Sequence, residues 1–134
     1  MELNPEIYEK TIVVKEKDLD KQQHVNNVQY VQWVQDVAEE HWEKRASEEQ
    51  KSKVIWVVVK HEINYKKEAF LNDPISLQTY VSDATHVTSI RHVIIKNAET
   101  DKLLAEAKTT WCLLDKETKK PVKISEELKK VFLQ

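Results

Sequence analysis

The 134-residue sequence predicts an α+β fold, in which one long helix lies against a single five-stranded antiparallel sheet and a short helix closes the chain. Three observations predict it. Residues 27–45 carry an apolar arc at helical spacing. Four later segments alternate with a period of two between short polar turns. The closing SEELKKVF opens on Ser125, a capping residue, and reads as a short helix.

Taken in order, residues 8–16 alternate weakly, with Ile12 and Val14 facing one way, and read as the first strand. Next comes DLDKQQHVNNVQYVQW, residues 18–33, whose first ten positions hold two carboxylates, a histidine and several amides. In the helix that follows, Tyr30, Val31, Trp33, Val34, Val37, Ala38, His41 and Trp42 fill about half the circumference at 100° per residue. Gln29, Gln32, Gln35, Asp36, Glu39, Glu40 and Glu43 fill the other half, so the wide arc suits a concave sheet. Residues 48–53 read as a charged connection. In WVVVKHEINYKK, Val57, Val59, His61, Ile63 and Tyr65 are expected on one face. Residues 75–82, 88–96 and 103–114 complete the strands, and the short connections suggest a meander. One helix leaves the other face and the edges of such a sheet uncovered, which a dimer would remedy.

The chain is of single-domain length, and nothing in residues 1–134 reads as a linker or repeat. A net charge of −2 gives no electrostatic case for nucleic acid or an anionic membrane as partner. No apolar run approaches the roughly 20 residues that span a bilayer. One cysteine and an N-terminus without a signal-like apolar core point to a cytoplasmic protein. There is no glycine, so turns at 72–74, 97–101 and 115–121 must rely on Asn, Asp and Pro. Glycine-rich phosphate loops are excluded with it, and nucleotide hydrolysis and NAD chemistry become poor fits.

DLDKQQHVNNVQYVQW closely resembles the helix-start motif of hotdog-fold thioesterases, above all the plant acyl-ACP thioesterases, and also that of the 4-hydroxybenzoyl-CoA thioesterase group. INYKKEAFLNDPISLQTYV resembles the family's second strand, acidic residue, turn and third strand. LLAEAKTTWCLLDKETKKPVKISEELKKVF resembles its last strand, turn and closing helix. The resemblance implies a hotdog fold, with the five-stranded sheet wrapped around the long helix. It also implies acyl-CoA or acyl-carrier-protein thioester substrates, a homodimer or tetramer with sites at the interface, and no metal or other cofactor.

By this resemblance Asp20 takes the catalytic position, as general base or nucleophile. Read from the residues alone, a turn or capping carboxylate is the commoner fate of an Asp before a helix. Asp18 reads as structural. His24 matches the plant motif's histidine, able to take a proton from water or hydrogen-bond the carbonyl, or else to satisfy loop backbone. Gln22 departs from the motif, which has Asn there, and its extra methylene displaces the amide. Asn26, Asn27 and Val28 lie where a helix N-terminus offers N–H groups to an oxyanion, and at least one Asn is expected to cap. Glu68 matches a second acidic position of related hotdog enzymes, or is equally a solvated carboxylate beside Lys66 and Lys67, and Lys66, Lys67 and Arg91 are candidates for CoA phosphates. His41 reads as a hydrogen-bonded core histidine and Cys112 as buried packing, while His61 and His92 lack metal-ligand neighbours. Two rivals remain: a hotdog hydratase or dehydratase, and a non-catalytic acyl-thioester binding module.

Overall fold

The long helix, α1, spans Asn27–Arg45 and begins where its cap predicts, with Asn26 Oδ1 accepting the Val28 N–H at 3.0 Å. Tyr30, Trp33, Val34, Val37, Ala38 and His41 are buried along it, all of them from the expected arc. Its sequence is rich in glutamine and glutamate, so packing rather than hydrophobic content holds it. Each fully buried large apolar side chain contributes about 1.5–3 kcal/mol. Lys44 and Arg45 sit in the last turn, where cations suit the helix dipole.

The computed structural model describes residues 4–134. It forms strands β1 (Tyr8–Val13), β2 (Val54–Tyr65), β3 (Pro74–Thr85), β4 (Thr88–Asn97) and β5 (Leu103–Asp115), with helices α1, α2 (Glu48–Lys53) and α3 (Glu126–Lys129). The antiparallel sheet runs β1-β3-β4-β5-β2. The meander therefore holds only for β3 to β5, since β2 pairs with β5 and not with β3. The connection from β2 to β3 crosses from one side of the sheet to the other. On the way, Ala69 O accepts the Val25 N–H at 2.9 Å, which ties this crossing to the loop before α1.

The core joins Val14, Tyr30, Trp33, Val34 and Val37 to the inward residues of β3, β4 and β5, among them Ile75, Leu77, Val93 and Ile95. Three expected turns hold left-handed residues other than glycine: Asn72 (φ 71°), Asp101 (φ 62°) and Lys119 (φ 62°).

Two expectations about local structure need correction. Residues 48–53 are helical, capped by Ser47 and closed by a reciprocal bond between Ser47 and Gln50. In β2 the pairing register shifts between Val58 and Lys60. This bulge inserts Val59 and reverses the alternation, so Val57 (36 % exposed) and Val59 (62 %) face outward while His61 and Ile63 face in.

Candidate functional site

The chain before α1 is built as a small hairpin. A 3-10 turn at Glu16–Asp18 leads into it, and Leu19 and Val25 form an antiparallel bridge. Inside the bridge the Asp20 N–H donates to His24 O at 2.7 Å, and the Gln23 N–H donates to Asp20 O at 3.1 Å. Asp20 Oδ1 accepts the N–H groups of Gln22 (2.8 Å) and His24 (3.3 Å). Such a tight return forces Gln23 to φ 68°, a conformation costly for any residue with a Cβ.

Asp20 thus has two distinct oxygens. Oδ1 organises the turn, while Oδ2 has no hydrogen-bond partner among the described residues. The turn role and an open carboxylate oxygen coexist in one half-buried side chain. Asp18 is buried and structural: its side chain accepts the Lys15 N–H at 2.9 Å, and its carbonyl accepts the Asn26 N–H at 2.9 Å.

At the start of the helix most donors are already used. The Asn26 N–H goes to Asp18 O, that of Val28 to the Asn26 side chain and that of Gln29 to Asn26 O. The Asn27 N–H has no such partner among the described residues, and it sits where the helix dipole favours negative charge. Around it lie Val28 (72 % exposed) and Tyr65, whose hydroxyl donates to Asn27 O at 3.3 Å. His24, half-buried, meets the exposed Phe70 edge-on at 5.2 Å.

The β2–β3 crossing brings Glu68 to this end of the molecule, beside Ala69 and exposed to solvent. Below it Tyr30 is buried, and among the described residues its hydroxyl makes no well-formed hydrogen bond, though the Ala69 backbone lies near enough to favour the phenolate. Burial, helped by the negative charge of Glu68, pushes the Tyr30 phenol up to about 12. Lys66 and Lys67 are exposed on the same crossing, and the exposed Gln22 side chain has no partner among the described residues. Asp20, Gln22, His24, Asn26, Asn27, Val28, Lys66 and Glu68 therefore belong to two adjoining loops and the end of one helix.

Arg91 does not belong with them. It points inward from β4, 4 % exposed, and donates from Nη1 to His41 Nδ1 and Thr79 Oγ1, both at 3.0 Å. Its guanidinium lies away from the Asp20 turn and Lys66, so the expectation that Arg91 meets CoA phosphates beside them is withdrawn. The signal was present in the sequence: Ser89, Arg91, Val93 and Ile95 share one phase of the strand, and all four are buried. His41 is fully buried as expected, donating from Nε2 to Glu6 Oε1 at 2.6 Å. Cys112 is also buried. His61 Nδ1 lies 2.9 Å from Thr109 Oγ1 and its Nε2 lies 3.2 Å from Gln35 Nε2, a contact that the helix's polar face did not suggest.

The profile of the acyl-ACP thioesterase N-terminal domain matches residues 5–132. The chain belongs to this thioesterase family. Among curated relatives, the long-chain acyl-CoA thioesterase FadM of Escherichia coli is 26 % identical over 125 residues, 92 % of this chain and 95 % of FadM. The chloroplastic palmitoyl-acyl carrier protein thioesterase of Gossypium hirsutum is 28 % identical over 79 residues, which is 59 % of this chain but 19 % of that larger protein. Among solved structures, YbaW of Escherichia coli, described as a probable thioesterase, superposes with a TM-score of 0.83 at 25 % identity, covering 92 % of this chain and 94 % of its own. Slr0204 of Synechocystis, a 1,4-dihydroxy-2-naphthoyl-CoA thioesterase, gives 0.81 at 17 % identity over 94 % and 95 % of the two chains, and shares the fold. The hotdog fold expected of this thioesterase family is the fold observed, and the chain stands among thioester hydrolases.

Proposed function

We propose that the chain, as one hotdog domain over residues 1–134, hydrolyses an acyl-CoA or acyl-carrier-protein thioester to a free acid and a thiol. One observation carries this reading: Asp20 is fixed through Oδ1 by its own turn while Oδ2 stays open, at a helix N-terminus with an unengaged Asn27 N–H. Acting as general base, Oδ2 removes a proton from water as the water oxygen bonds to the thioester carbon. The carbonyl oxygen becomes an oxyanion, held by the Asn27 N–H and the helix dipole. Collapse breaks the C–S bond, and the thiolate takes a proton as it leaves. Acting as nucleophile instead, Asp20 displaces the thiolate to form a mixed anhydride that water then cleaves.

His24 and Gln22, on the same turn, would orient the water or the carbonyl, with Glu68 as a second acid. Lys66 is suited to the CoA phosphates, and Asn26 and Val28 shape the helix start rather than supply free N–H groups. Exposed Val28, Tyr65 and Phe70 give an acyl chain apolar surface beside this turn. A homodimer joined along the free edge of β2, where Val57 and Val59 stand exposed, would cover that edge. A cytoplasmic setting suits an unpaired buried Cys112.

The hydratase reading loses support because its acids are committed: Glu40 accepts from Tyr8 Oη and Lys10 Nζ, both at 2.7 Å, and Asp36 accepts from Gln32 at 2.7 Å. The binding-module reading rests on Gln22 standing in place of Asn. Thiol release from a panel of short, long and aromatic acyl-CoAs decides the matter. Turnover by wild type that collapses in Asp20→Asn supports hydrolysis; saturable acyl-CoA binding without any turnover would replace it with a binding role.

A further inference from the structure

A cavity of about 440 Å³ opens at the other end of the molecule, between the second half of α1, the start of β2 and the middle of the sheet. Its walls include Ala38, Trp42, Trp56, Ser89, Arg91 and Trp111. Trp42 lies fifteen residues beyond Asn27, about 22 Å along the helix from the Asp20 turn of the same chain.

Three features of this cavity are unexplained by packing. Arg91 is a buried cation with no carboxylate within ion-pair distance among the described residues. Both Nη1 protons are spent on His41 and Thr79, and Phe132 covers one face of the guanidinium at 4.7 Å. Its Nε and Nη2 groups have no partner among the described residues, although Arg91 lines the cavity. Finally, the indole N–H groups of Trp56 and Trp111 are buried without an acceptor. A buried charge costs several kcal/mol unless paired, and each unsatisfied donor about 1–3. Burial already pushes the guanidinium down to about 9, still charged at neutral pH.

The indole nitrogens are sealed from the cavity, so the donors that a ligand could meet are Nε and Nη2 of Arg91. Of the three carboxylates in the lining, Glu43 and Glu48 are ion-paired with Lys51 at the rim, and Glu39 is exposed and makes no ion pair with Arg91. We propose that this cavity binds the carboxylate of an organic acid, with the carboxylate on the free edge of Arg91 and an aromatic or short alkyl body against Trp42 and Trp111. A carboxylate matches the planar guanidinium fork and supplies the acceptors that Arg91 Nε and Nη2 lack. An aromatic wall with a few fixed polar groups is the usual make-up of a small-molecule site, and the volume falls in the range for one. The site stands on residues outside the thioesterase proposal and does not depend on it.

Three of the four tryptophans line the cavity, so intrinsic fluorescence reports its occupancy directly. The probes are 3-phenylpropionate and octanoate, each titrated against its neutral amide. Saturable quenching is expected for the acids, with the amides at least roughly tenfold weaker, the discrimination of a charge-assisted pair. Arg91→Gln should abolish that preference, and Ser89→Leu, which fills the cavity without touching Arg91, should abolish binding. Circular dichroism checks that both variants fold. Should Arg91→Gln fail to fold, the Ser89→Leu and amide comparisons still decide. Equal binding of acid and amide would make the cavity a purely apolar chain pocket, and no quenching by any probe at millimolar concentration would make it no ligand site; either overturns the proposal. Because binding is read without turnover, Asp20→Asn should bind the acids as wild type does, whatever its effect on hydrolysis.

Discussion

Arg91 Nη1 donates to His41 Nδ1 across 3.0 Å, joining β4 to the buried face of α1. Arginine has no acceptor to offer, so Nδ1 must be the unprotonated nitrogen and the proton sits on Nε2, where it is given to Glu6. The histidine is thus held neutral between a guanidinium and a carboxylate that Arg45 also grips, at 2.8 Å. Burial, reinforced by Arg91, pushes His41 down to about 4 despite the opposing pull of Glu6. Burial alone would raise Glu6, but its bonds from Arg45 and His41 outweigh that and keep it below the ordinary value.

This pair predicts an acid-labile fold. The unfolded chain protonates His41 near 6.5 and the folded chain near 4, so the folded state binds fewer protons in that window. The stability from the neutral histidine is complete above pH 6.5 and is lost as pH falls toward 4, on the order of 3 kcal/mol in all. Glu6 extends the loss in the same direction at lower pH. Urea unfolding at stepped pH should show the fall for wild type and a flatter profile for His41→Gln. Identical profiles would mean that His41 already carries a proton in the fold.

The two oxygens of Asp20 make separable predictions. Asp20→Asn keeps an oxygen to accept the Gln22 and His24 N–H groups, so stability should change little. The same variant lacks a base, and turnover should fall about 10²–10⁴-fold. Asp20→Ala also frees two turn donors and should lose about 1–2 kcal/mol besides. Equal destabilisation by both variants, with activity falling only in proportion to unfolding, would reduce Asp20 to a turn residue.

What the sequence disclosed follows from which signals were local. Helix α1 was legible because Asn26 caps it and its arc keeps one phase for nineteen residues. The bulge at Val59 was not, because the six-residue apolar run from Val54 to Val59, five Val and Ile residues about Trp56, offers no polar residue to mark the change of phase. Helix α2 was missed although Ser47 and Gln50 stand at capping-box spacing, a signal masked by the density of charges around it. The identity of the Asp20 turn came from resemblance, whereas the division of labour between its oxygens depends on how the 20–24 turn folds back on itself. Arg91 shows the opposite case: its strand phase argued for burial, and residue type alone suggested the surface.

Gln23 carries strain that glycine would relieve. Its φ of 68° costs about 1–2 kcal/mol for a residue with a Cβ, and its exposed side chain packs against little. Glycine returns part of that gain through the entropy of the unfolded chain. Gln23→Gly should therefore stabilise by about 0.5–1 kcal/mol, read as a higher urea midpoint with an unchanged slope. Asn72, at φ 71°, tolerates the same region better, so Asn72→Gly should gain less. A Gln23→Gly variant no more stable than wild type would show that the turn holds Gln23 by contacts worth as much as its strain.

Val59 tests the proposed dimer. It is the residue inserted by the bulge in an edge strand, 62 % exposed, and neighbouring Val57 is 36 % exposed on the same strand. A lone edge strand bearing outward valines invites pairing, and lysine is a residue that blunts such edges. In a two-fold interface each substitution counts twice. Losing about 1.5 kcal/mol of valine burial per copy weakens the dimer by on the order of 3 kcal/mol, roughly a hundredfold in Kd. Light scattering coupled to size exclusion should then find wild type as a dimer or tetramer, and Val59→Lys shifted toward monomer on dilution with its circular dichroism unchanged. If Asp20 works beside a partner chain, turnover per chain should fall in step with the dimer fraction. A monomeric variant with full activity would place the whole site within one chain, and a wild type that is itself monomeric would remove the β2 interface altogether.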